Sequence, residues 1–301
     1  MRVLVTGGSG FIGSQCAGAL LARGHDVHVS SYEPPATDNE VGEWHIGDIL
    51  KPGSASRLVS AVRPEAILHL AWCTEHGVYW TSPRNLDWVR ASIELLQAFT
   101  AHGGRRFVGA GTCAEYDWSY GYLSESQTPL APRSLYGSCK AAFRDIVAAH
   151  VAQTGQQAAW GRVFFLYGPG EAPGRLVPTL ITSLLRGEEA RCTAGTQVRD
   201  FLSAQDVARA FLALIESDVT GPVNIASGRP VSVAEIARAV GECVGRPELI
   251  VLGALPQRPD EPPFLVGDVT RLTTEVGFVP DDTLASGLQQ TVDWWRTRGD
   301  G

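Results

Sequence analysis

The sequence predicts an α/β fold, a doubly wound parallel sheet with a smaller C-terminal α/β lobe. Three observations point there. Short apolar runs alternate with helix-like stretches through the first half, the pattern of a parallel sheet covered on both faces. A glycine-rich turn, Gly7-Gly8-Ser9-Gly10-Phe11-Ile12-Gly13, joins the first run to the first helix. Further on the texture changes, with irregular loops at Tyr167-Gly168-Pro169-Gly170 through Gly174 and at Pro256 to Pro263.

The elements follow in order. Arg2 to Thr6 reads as a strand and Ser14 to Arg23 as an apolar-faced helix closed by Gly24. Asp26 to Ser31 is the next strand, and a third precedes Gly47-Asp48. Ser54 to Val62 is a helix, Ala66 to Ala71 a strand, Asn85 to Ala101 a long helix ended by Gly103-Gly104, and Phe107 to Gly111 a strand. The periodicity then predicts a helix over Ser138 to Thr154, a strand over Ala158 to Leu166, a helix over Asp206 to Glu216 and a strand over Val223 to Ala226.

Composition narrows the function. The 301 residues are 44% hydrophobic and 19% charged, the balance of one large or two modest globular domains. Thirty-two acidic residues against twenty-five basic ones give a net charge of -7 and argue against a grip on nucleic acid. There is no run of eighteen apolar residues and the opening strand turns into glycines, so no membrane partner is expected and the cytoplasm is the expected location. The six cysteines are scattered without a Cys-x-x-Cys pair and read as reduced thiols. The seven histidines, His28 among them, lack the paired spacing of a zinc site, so no metal is expected.

Chemistry concentrates in a few places. Gly7, Gly10 and Gly13 allow a tight turn and close approach of the backbone to a pyrophosphate, which the amides and positive dipole end of the following helix would hold. The second strand ends in Ser31, where a dinucleotide site usually carries an acid on the adenosine ribose. Serine removes the repulsion against a ribose 2′-phosphate, which tilts the cofactor toward NADP, yet no arginine stands beside it; NAD is the alternative, with Glu33 or a main-chain contact taking over. Asp48 follows the third strand, either on the adenine amino group or as a plain loop cap. Tyr136 and Lys140 stand four residues apart on one helix face. There the ammonium is expected to stabilise the phenolate and bring the phenol toward acid–base strength at neutral pH. Thr112, directly after a strand, is placed to hold a substrate oxygen, while Cys113 beside it has no base partner.

On these residues the chain resembles the extended short-chain dehydrogenase/reductase family, in its NAD-dependent epimerase/dehydratase branch that works on nucleotide sugars. The resemblance spans nearly the whole chain. It rests on Thr6 to Gly13, Gly47-Asp48, His69-Leu70-Ala71, Thr112 to Tyr116, Tyr136 to Lys140, Tyr167 to Gly170, Val198-Arg199-Asp200-Phe201, Asp206 to Ala210, Asn224 to Gly228 and Arg258-Pro259-Asp260-Glu261. It implies a Rossmann-type domain over 1–165 plus roughly 199–226, and a substrate lobe over roughly 166–198 and 227–301. It implies that Tyr136 is the acid–base group, that Lys140 binds the nicotinamide ribose and tunes it, and that Thr112 hydrogen-bonds the reacting oxygen. The cofactor contacts it implies fall on Gly7, Gly10, Phe11, Ile12, Gly13, Ser31, Asp48, Ile49, Leu70 and Ala71, besides Tyr136 and Lys140. Arg199 and Arg258 resemble the family's diphosphate and nucleotide clamps, with an ordinary salt bridge as the plainer reading of each.

Departures from the family pattern narrow the chemistry. Dehydratases of this branch follow the threonine with an Asp-Glu pair that removes water from the sugar, and decarboxylases carry a glutamate at the second of those places; this chain has Cys113-Ala114. The asparagine that commonly precedes Tyr-Gly-Pro is replaced by Phe165. The resemblance then implies a ketoreductase acting on a keto-deoxyhexose, commonly at carbon 4, with a nucleotide-sugar 4-epimerase that keeps NAD bound as the alternative. A non-catalytic dinucleotide sensor is the reading from another class, countered by the presence of Tyr136, Lys140 and Thr112 together. The helices Asn85 to Ala101 and Ser138 to Thr154 resemble those that pair two subunits in this family, so a homodimer is expected.

Overall fold

The computed structural model describes residues 1–33, 41–257 and 259–298. The chain opens with β1 (Arg2–Thr6), α1 (Phe11–Ala22), β2 (Asp26–Ser31), β3 (Glu43–Ile46), α2 (Ser54–Val62), β4 (Ala66–His69), α3 (Arg84–Ala101) and β5 (Arg106–Thr112). It continues through β6 (Tyr122–Leu123), α4 (Leu135–Thr154), β7 (Gln157–Val163), β8 (Phe165–Tyr167), α5 (Leu176–Leu185), β9 (Ala190–Arg191), β10 (Val198–Ser203), α6 (Ala204–Glu216) and β11 (Gly221–Ile225). The last stretch holds β12 (Pro230–Ser232), α7 (Val233–Val244), β13 (Ile250–Val251), β14 (Phe264–Gly267), α8 (Thr270–Thr274) and α9 (Leu284–Arg298).

Seven of these strands form one sheet in the order β3-β2-β1-β4-β5-β7-β11, every neighbouring pair parallel. Strand residues point alternately to the two faces, and both faces are apolar. Val3, Val5, Val27, Val29 and Leu68 pack with Cys16 and Leu20 of α1 and Phe211 and Leu214 of α6. Leu4, Ile67 and Phe107 pack on the other side with Val59 of α2, Leu95 and Phe99 of α3 and Phe143 of α4. This three-layer, Rossmann-type sandwich is the fold predicted from the alternation of runs. No helix among the described residues is long and apolar enough to cross a membrane.

The smaller lobe has its own core and its own sheet. Strands β12, β10, β14 and β6 lie in that order, with β8 also paired to β10. Helices α5, α7 and α9 bring Leu180, Ile181, Ile236, Val240, Leu288 and Val292 together. Of these helices α7 carried a readable start signal, the reciprocal capping box of Ser232 and Glu235.

Two expectations differ from the structure. The single strand over Ala158 to Leu166 is two, because the Phe164 amide turns to Ile225 O and its ring enters the junction between the sheets, so that β7 stays in the large sheet and β8 crosses to the small one. Likewise Val198–Ser203, placed with the large sheet, pairs in the small one, and the return to the large sheet begins at α6.

Candidate active site at the carboxyl end of the large sheet

The glycine turn leaves β1 with Gly7 and Gly8 both donating to Ser30 O at 2.9 and 3.1 Å. Gly7 takes a positive φ of 73°, and a Cβ there would stand 2.8 Å from the Ala71 backbone. A Cβ on Gly13 would stand 2.1 Å from Gly7 O, so only glycine lets α1 begin this close to the turn. Gly10 is the helix N-cap and gives no side-chain cap, which leaves the first-turn amides at Phe11, Ile12 and Gly13 to an anionic ligand. Ser31 lies beside this turn, its hydroxyl 2.6 Å from Ser9 Oγ and 2.6 Å from Glu33 O. Asp48 Oδ1 accepts from the Leu50 amide at 3.0 Å, the loop-cap alternative, and the Ile49 side chain is buried.

Leu70 and Ala71 are fixed from β1. Thr6 O accepts the Leu70 amide and Thr6 Oγ1 the Ala71 amide, each at 3.2 Å. The same hydroxyl stands 2.7 Å from His69 Nδ1, and His69 Nε2 stands 2.8 Å from Ser92 Oγ, which donates to Trp88 O. Burial pushes His69 down to about 3, so the ring is neutral and acts as a strut between β4 and α3.

Thr112 ends β5 and caps the 3-10 turn Cys113–Glu115, its hydroxyl accepting from the Ala114 amide at 3.2 Å. Helix α4 starts against that turn: Ser134 caps it by accepting from the Gly137 amide, and a Cβ on Gly137 would stand 2.5 Å from Ala114 O. Close approach at Gly137 is what brings Tyr136 near Thr112, whose hydroxyl favours ionisation of the phenol. One turn on, Lys140 is buried, donates from Nζ to Ala110 O at 2.8 Å and stands 4.0 Å above the Trp72 ring.

The electrostatics correct one expectation. Burial holds the Tyr136 phenol above its ordinary value, Tyr79 adds to this, and only the Thr112 hydrogen bond opposes it. Lys140 is itself pushed down to about 7 by burial and is aimed at Ala110 O and Trp72, so the ammonium does not lower the phenol here as expected from spacing alone.

Several residues around the phenol went unread in the sequence. The loop between β4 and α3 sets Tyr79 and Trp80 edge-on to Tyr136, with ring centroids 4.9 and 5.8 Å away. Buried Asn85 holds that loop, accepting from Trp72 Nε1 and donating to Tyr79 O and Ser82 O, each at 2.8 Å. Arg175 reaches over from the loop after β8, donating to Thr74 O and lying 5.5 Å from the Tyr79 ring centre. In the same loop the Glu171 carboxyl is buried and pushed up to about 8, with Oε2 lacking a hydrogen-bond partner among the described residues. The available signal was three aromatic residues, Trp72, Tyr79 and Trp80, clustered after a strand at the ligand-binding end of the sheet.

Arg199 sits on β10, buried, and pairs with Glu261 at 3.0 Å. Its guanidinium lies 5.4 Å from the Phe165 ring, and its charge reaches Cys113, whose thiol burial pushes up to about 12. Glu261 also lines a cleft of about 460 Å³ with Trp118, Tyr120, Arg133, Asp260 and Phe264. Arg258 lies outside the described residues.

Comparison with known proteins gives a consistent picture. A profile of the NAD dependent epimerase/dehydratase family matches residues 3–226. A UDP-glucose 4-epimerase of Corynebacterium glutamicum is 26% identical over 94% of this chain and 92% of its own length. A dTDP-glucose 4,6-dehydratase of Streptomyces griseus is 31% identical over 98% of this chain and 94% of its own. The crystal structure of a Thermus thermophilus UDP-glucose 4-epimerase in complex with NAD superposes with a TM-score of 0.85 at 27% identity, covering 98% of this chain and 99% of that one.

Proposed function

Because the chain belongs to the NAD-dependent epimerase/dehydratase family, and so is an enzyme of that nucleotide-sugar-modifying group, we propose that it transfers hydride at a carbinol carbon of a nucleotide-linked sugar, with Tyr136 as acid–base group and Thr112 and Lys140 as its partners. The observation that carries this is the convergence of Thr112, Tyr136 and Lys140 where the first turn of α4 meets the end of β5. The glycine turn fits a dinucleotide, since the turn is packed too closely for a side chain at Gly13 and the amides of α1 carry no cap. Gly7, Gly10, Phe11, Ile12, Gly13, Ser31, Asp48, Ile49, Leu70 and Ala71 would hold it, with Tyr136 and Lys140 at its reactive end. When bound it supplies the hydride donor and acceptor.

The protein's residues do the rest. Tyr136 Oη takes the proton of the sugar hydroxyl, or returns it, while Thr112 Oγ1 fixes the sugar oxygen beside it. Lys140, poised near neutrality, lowers the phenol's barrier to ionisation when it turns from Ala110 O toward the site. Tyr79 and Trp80 wall off water, and Arg199 meets the substrate diphosphate by exchanging its Glu261 partner.

Two reactions use this constellation. Ser31 favours a 4-ketoreductase that exchanges NADPH. The absence of lysine or arginine within three residues of Ser31, and the NAD held by the Thermus relative, favour a 4-epimerase that retains NAD. Cys113 and Ala114 supply neither acid nor base for removing water from the sugar. We favour the epimerase. The test is to identify the nucleotide released from the denatured protein, then to incubate the protein with UDP- and dTDP-hexoses and their 4-keto forms. Retained NAD with interconversion of two sugars supports the epimerase; net oxidation of added NADPH on a 4-keto sugar gives the reductase instead. Tyr136→Phe is expected to bind dinucleotide normally and to lose about 10²–10⁴ in rate. Full activity in that variant would overturn the assignment of the acid–base group. Pairing of two copies through α3 and α4 belongs to the same proposal, supported by the exposed Leu86 and Ile146 on those helices and checked by sedimentation.

A further inference from the structure

Far from the phenol, at the β3 edge of the large sheet, three side chains come together that no spacing along the chain announces. The register sets His28 opposite Glu43 and Ser30 opposite His45, so His28, Glu43 and His45 share one face. His28 Nδ1 stands 2.9 Å from His45 Nε2 and 3.7 Å from a Glu43 oxygen, and His45 Nε2 stands 3.8 Å from the other Glu43 oxygen. A tetrahedral zinc ion with nitrogen and oxygen ligands at about 2.0–2.2 Å holds its donors roughly 3.3–3.6 Å apart. The triangle already built into β2 and β3 therefore needs shifts of only a few tenths of an ångström to close around such an ion.

A second observation points the same way. The far nitrogen of His28, Nε2, lies 3.4 Å from Asp26 Oδ1, and Asp26 is in turn held by Arg2 Nε at 2.8 Å. A carboxylate on the far ring nitrogen is the arrangement that fixes the tautomer and orientation of a metal-bound histidine, here turning the Nδ1 lone pair toward the other two donors.

We propose that His28, Glu43 and His45 bind a divalent transition-metal ion, zinc by the character of the donor set, with water in the fourth position. The proposal departs from the expectation, drawn from spacing along the chain, that the histidines form no metal site. Such an ion would rivet the edge strand β3 to β2, whose carboxyl ends carry Ser31 and the Asp48 loop. It is independent of the reaction proposed above.

The experiment uses the full chain, treated with a chelator, dialysed into metal-free buffer and titrated with zinc against a chromogenic competitor. One equivalent is expected to bind and to raise the thermal midpoint by mass action. X-ray absorption should show a shell of nitrogen and oxygen only. His45→Ala, on the partly exposed edge strand, should abolish the equivalent, and Asp26→Asn should weaken it by about 10–100-fold. Absence of binding, sulfur in the zinc shell, or an unchanged equivalent in a folded His28→Gln/His45→Ala double variant would overturn the proposal. If that variant does not fold, the absorption spectrum of the unaltered protein decides between the histidines and the cysteines.

Discussion

Glu171 shows how far a single environment can move a group. Its carboxyl belongs to the loop after β8, is buried, and is eased only by the charge of Arg175, so its pKa is pushed up to about 8 against an ordinary 4.5. Between these values the folded protein keeps a proton that the unfolded chain releases, so stability falls as pH rises across the window. Glu171→Gln should therefore flatten that decline and stabilise the protein most at its alkaline end, which urea midpoints measured near about pH 5 and about pH 8 would show. An equal decline in the variant would mean that another group carries it. Tyr136 and Lys140 were legible as residues because a phenol and an amine four apart at a helix start form a pattern. Their electrostatics were not, because burial under Trp72, Tyr79 and Trp80 is set by a loop distant in sequence.

At the scale of elements, close approach matters more than helix length. Gly13 meets Gly7 O and Gly137 meets Ala114 O, one contact placing the cradle for the dinucleotide and the other placing the phenol. Gly13→Ala should weaken dinucleotide binding roughly tenfold or more and also lower the unfolding midpoint, since overpacking against the Gly7 backbone costs the folded protein about 1–3 kcal/mol; calorimetric titration with NAD measures the first and thermal unfolding the second. Gly137→Ala should act mainly on turnover, because α4, which carries Tyr136 and Lys140, is pushed off the Cys113–Glu115 turn; steady-state kinetics with saturating dinucleotide would show the loss. Alternating strands and helices in the first half were readable from periodicity, and α2 falls on the predicted residues. The lobe was expected to be α/β, but its individual strands and helices were not placed. Its strands β6, β9 and β13 have two residues each, too short for periodicity, and β10 finds its partners in β8, β12 and β14, which lie far along the chain.

Across the whole molecule, one buried ion pair lies at the base of the site. Glu115 is fully buried and joins Arg162 of β7 at 2.8 Å, while accepting also from Trp160 Nε1 and the Thr112 amide. Arg162 in turn lies over the Tyr116 ring, whose hydroxyl donates to Asn224 of β11. Removing one partner of such a pair strands a charge, so Glu115→Ala should cost about 3–5 kcal/mol in chemical denaturation, whereas replacing both with apolar residues should cost much less. Asp200 performs a related task in the lobe, accepting from the amides of Ser227, Gly228 and Gly267. In the sequence both acids stood inside motifs that marked a family without revealing that one secures the sheet and the other the turn beside it.

The chain passes between the two sheets repeatedly: β5 to β6, back to β7, out again at β8, back at α6 and β11, and out at β12. Neither sheet can thus be cut out as a cassette. A fragment ending at 165 would lack α6 and β11, exposing Val108 and Ala159 that Phe211 and Val223 now cover, and a single-crossover chimera anywhere between β6 and β11 would sever both cores at once. New specificity in such an architecture has to come from replacing side chains and loops one at a time, because the topology forbids trading one lobe for another.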